Sequence, residues 1–192
     1  MQFSRIRFCS VGARNQLTRD QKLLEGITLI ELVVVIAIIG VLAAAALPHF
    51  MSANESAHED SLSGAGGAIA AAVALAHAQW IANGHIKGDD IDDLVAFGNE
   101  NLNMTIEGWP RGASGLENSS IMNENQCIEV WQGLLQGGAP SVAVEMGSDY
   151  LVTAVADVNG QNIDCLFTYQ KDSAANSIRY DADEGVVTTT IM

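Results

Sequence analysis

"EGITLIELVVVIAIIGVLAAAALPHF", Glu25 to Phe50, decides how the rest of the chain is read. From Ile27 to Leu47 it runs for 21 residues in which only Thr28 and Glu31 are strongly polar. As a helix rising 1.5 Å per residue, the run is about 31 Å long, the thickness of a bilayer's hydrocarbon core. Helices of soluble cores seldom stay apolar on every face for so long. A cleaved secretory signal has a shorter apolar region and a more compact basic flank. The run is therefore read as a transmembrane segment, and Glu31 near its start becomes the residue to explain.

Charge is divided around this segment. Residues 1–26 hold five basic residues and two acids, a net of +3, whereas everything after Gly26 holds four basic residues and 21 acids, a net of −17. The positive-inside rule then places the N-terminus in the cytoplasm and the acidic body across the membrane. A body this acidic is a poor ligand for nucleic acid, which needs clustered Lys and Arg. Cys9 falls on the cytoplasmic side, and Cys127 and Cys165 on the far side, where a disulfide persists.

Three regions follow: a leader over 1–26, a long helix over 27–83 whose first part, 27–47, spans the membrane, and a globular domain over 84–192. Pro48 is expected to interrupt or kink the helix, because proline removes a backbone donor and crowds the preceding turn. Beyond it, Leu62, Ile69, Val73, Ala76 and Trp80 recur at helical spacing on one face. Gly64, Gly66 and Gly67 soften this part by about 1 kcal/mol each relative to Ala. Asn83-Gly84 is a C-cap signal. A short helix is expected near Ile91 to Phe97, and another in "NQCIEVWQGLLQGG" with Ile128, Trp131, Leu134 and Leu135 on its face. "IEGWPRGASG" is turn chemistry. The runs "SVAVEM", "DYLVTAVA", "DCLFTYQ" and "SIRYDADEGVVTTTIM" read as strands joined by hairpin turns, of which "DVNGQN" at 157–162 is the strongest. A long helix on an antiparallel meander makes an α+β fold.

The stretch "GITLIELVVVIAIIGVLAAAALPHF" resembles the N-terminus of type IV pilins and pseudopilins: a Gly cleavage site, a hydrophobic residue, Thr, Leu, Ile, Glu, then an apolar helix broken by proline. More diffuse features resemble the mannose-sensitive haemagglutinin group of pilins. These are "PHF" after the helix, a Ser/Gly/Ala-rich second half, "GWP", two late cysteines and the ending "IRYDADEGVVTTTI". The resemblance implies that a prepilin peptidase cuts between Gly26 and Ile27 and that the new amine of Ile27 is methylated. It implies that Glu31 pairs with the N-terminal amine of a neighbouring subunit during assembly on an inner-membrane platform. The sequence departs from the pattern in its long leader, in Ile27 where Phe or Met is usual, and in Glu25 where a basic residue is more common.

The resemblance leads to one function and leaves two competitors. The first is a structural subunit, major or minor, of a type IV pilus used in surface adhesion, single-pass in the inner membrane before assembly and on the cell surface after it. The second is a pseudopilin of a type II secretion system, which more often lacks the late cysteine pair. The third is a membrane-anchored module that binds a ligand such as a glycan, with Trp109 or Trp131 as an aromatic platform.

Other candidate sites have plain readings beside them. Cys127 and Cys165 are the only cysteines after the leader, and the compartment favours a disulfide over free thiols. A metal pair is disfavoured because neither cysteine has another Cys or a His nearby in sequence. Asp181, Asp183 and Glu184, or Asp157 and Asn159, carry the hard oxygens calcium takes, but no loop has the closing bidentate Glu. Acidic hairpin tips are the plainer reading. His49, His58, His77 and His85 share no metal-binding spacing, and His77 is expected to pack against its helix's surroundings or to contact a neighbour. No nucleophile elbow, phosphate loop or zinc motif is present, so neither catalysis nor a cofactor is expected.

Overall fold

The computed structural model describes residues 27–89, 93–99, 102–114, 122–156 and 163–192. Gly26, the leader, the turn at 157–162 and the calcium candidates Asp157 and Asn159 lie outside the described residues. The chain divides between Ala46 and Leu47 into two compact units.

The described part of the first unit is helical from Leu29, and all of its residues are exposed. Ile27, Val41 and Leu42 are 77%, 73% and 64% accessible, so nothing among the described residues covers the segment. It belongs to α1 (Leu29–Ala82), which among the described residues holds the one segment long and apolar enough to cross a membrane. The helix is unbroken through Pro48.

In the second unit α1 becomes one-sided. Leu62, Ala65, Ile69, Val73, Ala76 and Trp80 are buried, a stripe at steps of three or four residues, as the sequence pattern predicts. The helix stops where Asn83-Gly84 predicts: Gly84 takes φ +91°, and the His85 N–H donates to the Trp80 carbonyl at 3.3 Å.

This stripe packs on a five-stranded sheet in the order β3 (Val142–Ala143), β4 (Tyr150–Ala156), β5 (Ile163–Tyr169), β6 (Ser177–Asp181), β7 (Val186–Thr190). Strands β4 to β7 form the expected antiparallel meander. Alternation fixes its buried face, with Tyr150 and Val152, Cys165, Phe167 and Tyr169, then Ile178 and Tyr180 turned inward. The edge strand β3 departs from the expectation: "SVAVEM" pairs over only two residues, and parallel to β4. Ser141 and Asp149 hold that edge in place. The Ser141 N–H and hydroxyl donate to Asp149 Oδ2 at 2.8 and 2.6 Å, and the Asp149 N–H donates back to Ser141 Oγ at 2.9 Å.

Two smaller elements cover the remaining side of the core. Helix α2 (Glu124–Leu134) starts with a capping box in which Asn123 and Gln126 bond each other's backbone N–H. Its buried face is Cys127, Val130, Trp131 and Leu134, with Ile128 and Leu135 only partly covered, so the true face is turned slightly from the expected one. A two-stranded ladder, β1 (Asn103–Met104) with β2 (Pro110–Gly112), encloses the turn at 105–109. It is tied to the main sheet by the Tyr180 hydroxyl, which donates to the Pro110 carbonyl at 2.7 Å. The short helix expected near Ile91 to Phe97 is corrected. Its described residues, 93–97, form turns, with Asp93 and Ala96 at φ 62° and 66°, values that a helix excludes.

The three helix glycines are not equivalent. A Cβ on Gly66 collides with the Thr189 hydroxyl on β7, whereas Gly64 and Gly67 face open space. Gly66 is therefore the contact that lets α1 close on the sheet, and the other two only loosen the helix. Gly66→Val is expected to destabilise the domain by about 1–3 kcal/mol. Gly64→Ala is expected to stabilise it by up to about 1 kcal/mol. Denaturant melts of the two variants against wild type check the opposite signs.

Candidate functional site

Glu31 sits in the first turn of α1, inside a reciprocal pair of hydrogen bonds. The Thr28 hydroxyl and N–H donate to Glu31 Oε2 at 3.2 and 3.3 Å, and the Glu31 N–H donates to Thr28 Oγ at 3.3 Å. This is a capping box, Thr28-x-x-Glu31, which satisfies helix N–H groups that have no partner within the helix. The sequence contains the signal, but reading Glu31 only as a misplaced charge in an apolar run hides it. Every neighbour from Ile27 to Leu47 is exposed. Glu31 is thus a single acid at the head of an uncovered apolar rod, and its oxygens are held by weak local bonds that a stronger cationic donor can replace.

Within the second unit, the sequence-predicted residues fall into separate places. Cys127 on α2 and Cys165 on β5 form a disulfide with Cα atoms 5.5 Å apart, and both are fully buried. The bond pins α2 to the centre of the sheet. Trp131 beside it is core: it is 1% exposed, packs in tilted contact with Tyr150 and Phe167 with ring centroids 4.9 and 4.7 Å away, and its Nε1 donates to the Pro140 carbonyl at 3.0 Å. That removes Trp131 as a binding platform. Burial, then the nearby Tyr169, Asp149 and Asp172, push the Tyr150 phenol up to about 12, so it stays neutral at any physiological pH.

Trp109 is half-covered in a second aromatic group. It stacks on His77 at 4.0 Å between centroids, and His77 in turn lies 5.6 Å from Trp80. His77 Nδ1 donates to the Gly108 carbonyl at 2.7 Å. Gly185, at φ +68°, leaves space that the Trp109 ring fills. His77 is a packing residue of this group, one of the two roles expected of it. Sequence reading missed the group itself, since residues 77, 109 and 185 meet only once the sheet has formed.

Among the calcium candidates, Asp181 Oδ1 accepts the N–H groups of Asp183 and Glu184 at 2.8 and 3.0 Å. It serves its own β6–β7 turn, the plainer of the two expectations. Glu129 on α2 does similar work for the chain after β2. Burial alone would raise its carboxyl, but the N–H groups of Ser114 and Ala113 and the Ser114 hydroxyl outweigh that and hold it below the usual carboxylate range.

Comparison with family models, with characterised proteins and with solved structures finds no match to this chain.

Proposed function

We propose that this chain is a structural subunit of a type IV pilus-like filament. In this reading a prepilin peptidase cuts between Gly26 and Ile27, the new amine is methylated, and the subunit waits in the inner membrane with its acidic domain outside. Assembly then packs copies of the apolar helix together, alone or with other pilins, into a filament on the cell surface. Its work is structural, without catalysis or cofactor, and adhesion is the use to which the filament is put.

One observation carries the reading: Glu31 stands alone at the head of an apolar helix that is uncovered along its whole described length from Ile27 to Leu47. Such a helix needs lipid or other helices around it, and a carboxylate within it needs a cation. The new amine of a neighbouring subunit, four residues upstream of the neighbour's own Glu31, is that cation. The buried disulfide between Cys127 and Cys165 favours a pilus over a secretion pseudopilus, because the latter's subunits more often lack it. Shearing intact cells and fractionating the filaments tests the choice. The protein is expected in the sheared filament fraction. Recovery only from the inner membrane and periplasm, with loss of protein export in its absence, would favour the pseudopilin.

A further inference from the structure

The second unit carries a cleft of about 570 Å³ beside the beginning of its part of α1. Helix residues Pro48 to Glu59 form one wall, and the β5–β6 loop forms the other. Its acids are Glu55, Glu59 and Asp172, against a single Lys171 that Asp149 already holds at 3.3 Å. Asp172 is only half-satisfied. Its Oδ2 accepts from the Asn176 amide at 2.8 Å, while Oδ1 is shut off from solvent with no hydrogen-bond partner among the described residues. His58 does not supply that donor, since its Nδ1 shares a hydrogen bond of 2.9 Å with the Tyr169 hydroxyl. Met51 and Met192, 65% and 76% exposed, add apolar surface to the same walls. An opening lined by three carboxylates, with methionines beside them, fits a cation on an aliphatic stem.

The chain itself offers that group. After Gly26 it has four basic residues. Arg111 is 4% exposed, Arg179 bonds Asp164, and Lys171 lines the cleft. Lys87 remains, its side chain 77% exposed and paired only at the surface with Glu107 at 2.8 Å. It lies beyond the C-terminal end of α1. From Glu59 to that end the helix extends roughly 35 Å, far more than a lysine side chain can span, so Lys87 cannot enter its own cleft. We infer that the cleft receives the Lys87 ammonium of a second copy of this chain, head to tail. The inference rests on the filament reading above and adds the contact that joins the outer domains. A head-to-tail contact leaves one free cleft and one free lysine at its two ends, so it repeats into an open array. It also places the body's most exposed cation against a neighbour, where a net charge of −17 otherwise makes copies repel.

The test uses sheared filaments and the full-length subunit. Zero-length carbodiimide cross-linking of wild-type filaments is expected to join Lys87 to Glu55 or Glu59 between copies. Lys87→Glu and the pair Glu55→Lys with Glu59→Lys are each expected to lower filament incorporation at least tenfold. Combining them is expected to restore it. All these side chains are at least partly exposed, so the variants should keep a protease-resistant, disulfide-bonded domain, which is measured alongside. Normal incorporation of either charge reversal, or failure of the combined variant to recover, overturns the contact and leaves the filament reading standing. Absence of filaments containing the wild-type chain overturns both.

Discussion

Glu31→Ala is expected to give a subunit that is inserted and folded but absent from filaments. Removing the carboxylate makes insertion easier, since a charge in a membrane helix is disfavoured by about 2.5–3.5 kcal/mol on insertion scales. The globular domain is a separate compact unit that starts at Leu47, so its stability should not change. In the filament, however, the neighbour's amine would be buried without its counter-charge. Breaking a buried pair in this way costs about 3–5 kcal/mol, roughly a hundredfold to several thousandfold in the equilibrium for adding each subunit. The capping box gives Glu31 a competing local role, because Glu31→Ala also removes the acceptor for the Thr28 N–H and hydroxyl. Glu31→Gln separates the two. Glutamine at this position preserves a capping box but carries no charge. Loss of filaments with both variants supports pairing with the amine, whereas normal filaments with Glu31→Gln assign the residue to capping. Following a tagged variant into sheared filaments keeps other subunits from masking the result.

The disulfide carries the second large effect. Cys127→Ala combined with Cys165→Ala is expected to lower the domain's stability by roughly 4 kcal/mol, the chain-entropy value for freeing a loop of this length. For a domain of this size that amounts to a fall in Tm of roughly 10–15 °C. The bond lies fully buried between α2 and the sheet, so its loss also frees Trp131 and its aromatic neighbours to repack. Thermal melts of the wild-type domain, its reduced form and the double variant check this. A Tm within about 2 °C of wild type in both altered forms would show that packing holds α2 without the bond.

The strongly periodic parts of the fold were legible in the sequence. The stripe from Leu62 to Trp80, its end at Asn83-Gly84 and the antiparallel meander all follow from local patterns, because each residue's burial is set by neighbours a few positions away. What the sequence hid depends on distant partners. The parallel pairing of β3 is held by Asp149 reaching back to Ser141. Gly66 looks like Gly64 until Thr189 arrives beside it. "DLVAF" carries a helix-like pattern, but the Leu94 N–H donates to the Leu102 carbonyl, and tertiary pairing overrides the local preference. Glu31 was conspicuous from the start as a charge in an apolar run. Its bond to Thr28 was equally readable and shows that one residue can serve the helix before assembly and, in the proposed filament, a neighbour afterwards.

The most direct test of the filament account is the N-terminal residue and intact mass of the protein taken from cells. The account predicts a chain that starts at Ile27 and carries one extra methyl group on its amine, because only cleavage there places a cation one helical turn from Glu31. A chain that keeps residues 1–26, or one that begins within or beyond the apolar run as a signal-peptidase product would, contradicts it.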